Sequence, residues 1–239
     1  MHRPRIRDTW LIHRHEALML GTLYAVFTGI WFAIGWLFIN PLKDSSIVHL
    51  DRSISDWFAN NRTTRLDSWS VFGSMLADTI VKVAVTAVIA IVMLSVWKRW
   101  LEPLVIVIPL ILEALCFITV TFLVGRPRPE FGLETSPVNS SYPSGHVAAA
   151  VAYAAIVIVV FWHTRRYWIR GLAVIIGVLI PLIVSYSRMY RNMHFLTDVI
   201  FGVLLGGACV IATTIVLHRA HERRQLSPVV SVSSHKSES

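Results

Sequence analysis

The sequence predicts an all-α protein: a six-transmembrane helix bundle with one further helix lying in the outer interface. Three observations carry this. Of 239 residues, 55% are hydrophobic and only 15% charged, where soluble domains carry about a quarter. Several apolar runs exceed the roughly 18 residues that mark a spanning helix. The mean hydropathy of +0.61 leaves little polar surface to face water on all sides.

The spans are placed at residues 17–39, 69–97, 102–124, 146–162, 168–187 and 196–217. The chain is thereby divided into a basic N-terminus (1–16), a membrane domain (17–217) and a Ser-rich, unstructured tail (218–239). The first apolar run is longer than a signal-peptide core and no cleavage site follows it, so it is expected to remain as span one. Trp69, Trp97, Trp100, Trp162 and Trp168 fall near the expected span ends, as an aromatic belt requires. Gly202 and Gly206 make a GxxxG in span six, which permits close helix packing. Cys116 and Cys209 lie within apolar runs and read as small packing residues.

Basic residues sort the loops. Arg3, Arg5, Arg7 and Arg14 precede span one; Lys98 and Arg99 separate spans two and three. Arg165, Arg166 and Arg170 separate spans four and five, and Arg219, Arg223, Arg224 and Lys236 follow span six. The positive-inside rule puts all of these in the cytoplasm, with both termini. The net charge of +8 is then a topology signal, and no nucleic-acid partner is expected. Lys43, Arg52, Arg62 and Arg65 run against the rule in the first outer loop. That loop also carries Ile47, Leu50, Ile54, Trp57 and Phe58 at three- and four-residue spacing, the pattern of an amphipathic helix on the membrane surface.

Two outward polar segments remain. The first, RPRPEFGLETSPVNSSYPSGH at 126–146, carries Arg126 and Arg128 and ends on Ser144, Gly145 and His146. The second, SRMYRNMHFLTD at 187–198, carries Arg188, His194 and Asp198. Arginine's planar fork matches phosphate oxygens. Ser144 and Gly145 open span four, where free N–H groups and the helix dipole favour an anion. Two histidines can divide nucleophile and acid roles. Asp198 stands four residues after His194, one helical turn if span six has begun there, and so can hold the imidazole. No cluster of metal-ligand type is present, so neither metal nor cofactor is expected.

RPRP at 126–129, YPSGH at 142–146 and SRMYRNMHFLTD at 187–198 resemble the three motifs of the type 2 phosphatidic acid phosphatase superfamily, K-x6-RP, PSGH and SR-x5-H-x3-D. The second and third match at every fixed position. The first does not: its lysine would stand at 121, where this chain has Thr121. Arg126 and Lys82 are the candidate replacements; the alternative for Lys82 is an ion pair with Asp78 or Glu113.

The resemblance implies a six-span fold and a metal-independent double displacement. His194 would attack phosphorus, Asp198 would orient it, and His146 would protonate the leaving oxygen and then activate water. Arg128, Arg188, Ser144 and the Gly145 amide would hold the phosphoryl oxygens. The implied activity is hydrolysis of a lipid phosphate or diphosphate at the outer membrane face, first a polyprenyl diphosphate such as undecaprenyl diphosphate. Phosphatidylglycerol phosphate and phosphatidic acid are alternatives within that class. Phosphotransfer to another lipid or sugar, and a non-catalytic membrane protein, are alternatives outside it.

Overall fold

The computed structural model describes residues 12–135 and 139–236, the last twelve of these by backbone alone. The N-terminal arginines at positions 3, 5 and 7 lie outside the described residues. The described chain forms nine helices: α1 (Arg14–Ile39), α2 (Ser46–Asn60), α3 (Thr64–Met75), α4 (Thr79–Trp97), α5 (Leu101–Val124), α6 (Gly145–Ala152), α7 (Ala155–His163), α8 (Tyr167–Tyr190) and α9 (Leu196–Lys236). Among the described residues six spans are long and apolar enough to cross a membrane: α1, α4, α5, the α6–α7 pair, α8, and α9 as far as Arg224.

α5 is the central post, packed against α1, α4, α6 and α9. Its inward positions include Val105, Ile106, Cys116 and Val120, all essentially inaccessible. Gly125 ends it in the left-handed conformation (φ 65°), a cap that glycine adopts without the Cβ penalty. α6 lies close against α9 because Gly202 and Gly206 have no side chains: a Cβ on Gly202 would stand 2.6 Å from the Ser144 carbonyl oxygen, and Gly206 faces Ala148 in the same way. The GxxxG therefore sets the depth of the turn that opens α6.

Three expectations are corrected. Span two is not one helix over 69–97. It breaks at Leu76–Asp78, so that α3 stands apart from the span and Trp69 lies within α3, away from any span end. The break places Asp78 at a helix end near other polar groups, where a continuous span would have carried a carboxylate in its interior. Span four is likewise jointed at Tyr153–Ala154, where an i→i−3 bond from Ala154 N–H to the Val151 carbonyl (2.8 Å) tightens the turn. The segment after Arg224, expected to be unstructured, continues α9 to Lys236; extending an existing helix needs no new nucleus.

One end of the bundle gathers the basic groups. Glu16 of α1 takes Arg223 of α9 at 2.9 Å, and Glu102 takes Arg99 at 3.1 Å and His163 at 3.0 Å. The polar segments 125–135 and 139–144 meet 191–195 elsewhere in the bundle, through Leu133 N–H to the Arg191 carbonyl (3.0 Å) and His194 to the Ser141 carbonyl (2.7 Å).

Candidate active site

Ser144 caps α6, and its backbone N–H donates to the Asp198 carbonyl (3.0 Å), joining the two polar segments. Thr121 is 3% exposed and donates to the Tyr142 carbonyl (3.3 Å). The position where the resembling motif has lysine thus supports the turn before Ser144 and supplies no cation.

His194 lies in the α8–α9 turn, 4% exposed. Its Nδ1 is 2.7 Å from the Ser141 carbonyl oxygen. A carbonyl can only accept, so Nδ1 carries the proton and Nε2 keeps its lone pair. Burial, then the charges of Arg188 and Arg128 and the neighbouring His146, hold the imidazole well below the ordinary histidine range. His194 is a neutral base with one free nitrogen.

The expected pairing of His194 with Asp198 is absent. α9 begins at Leu196, so His194 precedes the helix and the one-turn argument does not apply. Asp198 instead accepts from Phe195 N–H (2.9 Å) and from Arg126 Nη1 (2.6 Å). Arg126 also donates to Asp51 of α2 (2.8 Å) and Thr197 (2.8 Å), and lies over the rings of Phe38 and Phe195. The Arg126 carbonyl takes the Ser141 N–H at 2.8 Å. Asp198 therefore reaches His194 indirectly, through Arg126 and Ser141. Arg126 is committed to two carboxylates and is not placed to receive phosphate.

Arg188, at the end of α8, donates through Nη1 to Ser74 (2.6 Å) and Glu134 (2.6 Å). Glu134 also receives Arg191 Nε at 2.5 Å. Burial pushes the Glu134 carboxyl up, but the two arginines outweigh it and hold it below the usual carboxylate range. Arg128 donates to the Met193 carbonyl at 2.7 Å, beside His194. His146 Nε2 lies 3.0 Å from Asp78 Oδ1. Two buried polar atoms, Arg188 Nε and Ser144 Oγ, have no hydrogen-bond partner among the described residues.

The structure thus assembles His146, His194, Arg128, Arg188, Ser144 and Gly145. Lys82 has the partner weighed as its alternative: its ammonium pairs with the buried Glu113 of α5 at 3.3 Å. Asp51, Ser74, Asp78, Glu134 and Ser141 belong to the site's frame without having been assigned there from sequence. Only Asp78 carried a signal, as a carboxylate inside an expected span. Ser141 acts through its carbonyl, which no side-chain pattern reveals. Among the described residues no three His, Cys, Asp or Glu side chains cluster as metal ligands would. A cavity of about 500 Å³ opens beside the loop, with Phe38, Val48, Arg52, Arg128 and Phe195 in its wall.

The PAP2 superfamily sequence model matches residues 102–222, just over half of the chain. A Sulfolobus acidocaldarius protein named undecaprenyl-diphosphatase is 37% identical over 79 residues, 33% of this chain and 34% of that protein. A Bacillus subtilis protein named phosphatidylglycerophosphatase B is 34% identical over 85 residues, 34% of this chain and 41% of that protein. The aligned segments span only about a third to two-fifths of these curated relatives. Among solved structures, a PAP2-type phosphatidylglycerolphosphate phosphatase from Bacillus subtilis superposes with a TM-score of 0.65 at 22% identity, over 85% of this chain and 96% of that one. LpxE from Aquifex aeolicus superposes with a TM-score of 0.51 at 25% identity, over 70% of this chain and 93% of that one.

Proposed function

The chain belongs to the PAP2 superfamily, and we propose that it hydrolyses a lipid phosphate or diphosphate through a phosphohistidine on His194. The observation that carries this reading is a neutral His194, with Nε2 unprotonated, under the charge of Arg188, in a site where Arg188 Nε and Ser144 Oγ are buried with no partner among the described residues. Buried polar groups ordinarily have partners, and phosphate oxygens would satisfy both.

In the first half-reaction His194 Nε2 forms the N–P bond as the bond from phosphorus to the leaving oxygen breaks, and His146 gives that oxygen a proton. Arg188, Arg128, Ser144 and the first amides of α6 take the charge on the phosphoryl oxygens. In the second half, His146 removes a proton from water, the hydroxyl attacks phosphorus, and the N–P bond breaks to return His194 and inorganic phosphate. Every charge is met by a protein group, and no step calls for a metal.

The substrate we favour is a polyprenyl diphosphate such as undecaprenyl diphosphate. It is supported by the name of the Sulfolobus relative and by a mostly apolar cavity of about 260 Å³ lined by Leu76, Ile89, Ile106, Ala150 and Ile156, with Ala150 one helical turn after His146 on α6. Phosphatidylglycerol phosphate is the second reading, favoured by the name of the Bacillus relative. The basic groups at the far end of the bundle support an extracytoplasmic site in a cell membrane, with Lys98, Arg99, Arg165 and Arg166 inside. The test is phosphate release by purified protein in detergent, over polyprenyl diphosphates, phosphatidylglycerol phosphate and phosphatidic acid. Wild type should release phosphate from at least one and His194→Ala from none. Turnover by a folded His194→Ala protein would refute the assignment, and transfer to an added lipid or sugar acceptor in place of release would identify a phosphotransferase.

A further inference from the structure

Asp78 occupies the N-cap position of α4. An aspartate there ordinarily turns its carboxylate onto the N2 or N3 backbone N–H of its own helix. Asp78 makes no such bond. Its Oδ1 lies instead 3.0 Å from His146 Nε2, across 68 positions of sequence. The same break in span two delivers Ser74, one turn earlier, to Arg188 at 2.6 Å. A local stabilisation has been given up for a tertiary contact to an imidazole in the site.

Four groups face His146: Asp78 from the α3–α4 turn, Arg188 from α8, Glu134 from the 125–144 segment and His194 from the α8–α9 turn. Glu134 already receives Arg188 and Arg191. Asp78 is the carboxylate within hydrogen-bond distance of the ring.

We propose that Asp78 is the positioning residue of His146, accepting the Nε2 proton so that Nδ1 is the nitrogen that exchanges a proton with the reacting oxygens. This rests on the phosphatase reading above. As the bond to the leaving oxygen breaks, the Nδ1 proton of the imidazolium passes to that oxygen, and the ring is left neutral with Nε2–H held by Asp78. In the second half a proton from water returns to Nδ1. The carboxylate fixes the ring and favours its charged form. The arrangement repeats, on a different pair of residues, the logic of a carboxylate that orients a catalytic imidazole.

The test compares wild type with Asp78→Asn and Asp78→Ser in detergent, since serine is as good an N-cap as aspartate but carries no charge. Phosphate release is measured against pH with the best lipid substrate and with p-nitrophenyl phosphate, whose leaving group needs little help from an acid. Both variants should keep the wild-type melting temperature to within a few degrees. With the lipid, kcat should fall about 10–100-fold with KM little changed, and the alkaline limb of the profile should move to lower pH. With p-nitrophenyl phosphate the loss should be several-fold smaller. Wild-type kcat and an unmoved alkaline limb in Asp78→Ser would overturn the proposal while leaving the phosphatase reading intact. Equal losses on both substrates would also overturn it, because they would place the defect outside proton delivery. Absence of phosphate release by wild type from every probe would instead remove the phosphatase reading, and this inference with it.

Discussion

Arg126 Nη1 lies 2.6 Å from Asp198 Oδ1, while Nη2 of the same guanidinium lies 2.8 Å from Asp51 Oδ2. A residue that sequence reasoning offered to phosphate is a buried clamp between α2 and the start of α9. Both carboxylates are almost wholly buried, so neither has water to fall back on. Removing one partner of such a pair typically costs about 3–5 kcal/mol. Asp51→Asn should therefore lower the melting temperature in detergent by on the order of 10 °C. Because the clamp reaches His194 through the Arg126 carbonyl and Ser141, the variant should lose kcat more than it raises KM. A raised KM with unchanged melting would return Arg126 to the phosphate.

The depressed basicity of His194 fixes the sign of its pH effects. On the proposed mechanism a neutral imidazole attacks phosphorus, and burial with Arg188 and Arg128 nearby keeps it neutral well below the ordinary value near 6.5. The acid limb of kcat/KM should accordingly fall below pH 6.5. Stability follows the same linkage. Below about pH 6.5 the unfolded chain takes a proton at this residue that the folded chain refuses, so stability is lost as pH falls. His194→Asn should flatten the decline in melting temperature between pH 6.5 and 5, a change that thermal unfolding at a series of pH values would register.

Much of the site was legible because it is written in short local patterns. Ser144, Gly145 and His146 are contiguous, and Arg188 and His194 stand six residues apart, at the end of α8 and in the polar turn that follows it. What was not legible depends on which face of a helix meets the protein. α2 shows an apolar stripe in Ile47, Leu50 and Trp57, and each is more than half exposed. The inward face is Val48, Asp51, Ser55 and Phe58. Beside a bilayer, lipid is as apolar as a protein core, so hydrophobic periodicity does not tell inside from outside and the polar contact of Asp51 was hidden. Thr121 was legible only as a missing lysine; its bond to the Tyr142 carbonyl is tertiary.

Glu134 bears on how Arg188 is presented. Its two oxygens take Arg188 and Arg191 at 2.6 and 2.5 Å, and both guanidinium groups also reach serines of α3, Ser74 and Ser70. Glu134→Gln keeps the shape and removes the charge that holds the fork. Arg188 Nε should then be less well aimed, and kcat/KM should fall about tenfold, equivalent to ~1.4 kcal/mol of transition-state binding. The carboxyl's depressed pKa means the clamp is present above the ordinary carboxylate range and lost as pH falls through the lowered value. Wild type should therefore hold this contact across the working range, and the difference between wild type and Glu134→Gln should narrow only in strong acid. A variant as active as wild type at neutral pH would show that Ser74 alone orients Arg188.

Lys82 supplies the complementary test, a cation near the site that the structure assigns elsewhere. It pairs at 3.3 Å with Glu113, which is fully buried on α5, and the second oxygen of that carboxylate has no partner among the described residues. Lys82→Met leaves that carboxylate uncompensated in the membrane interior, so stability should fall by about 3–5 kcal/mol. Replacing both charges at once, Lys82→Met with Glu113→Leu, removes the orphaned group and should recover most of the loss. Where either protein remains folded, KM for the lipid phosphate should stay within about twofold of wild type, because the pair with Glu113 already takes the ammonium. A several-fold rise in KM in the stable double variant would show that Lys82 reaches the substrate after all.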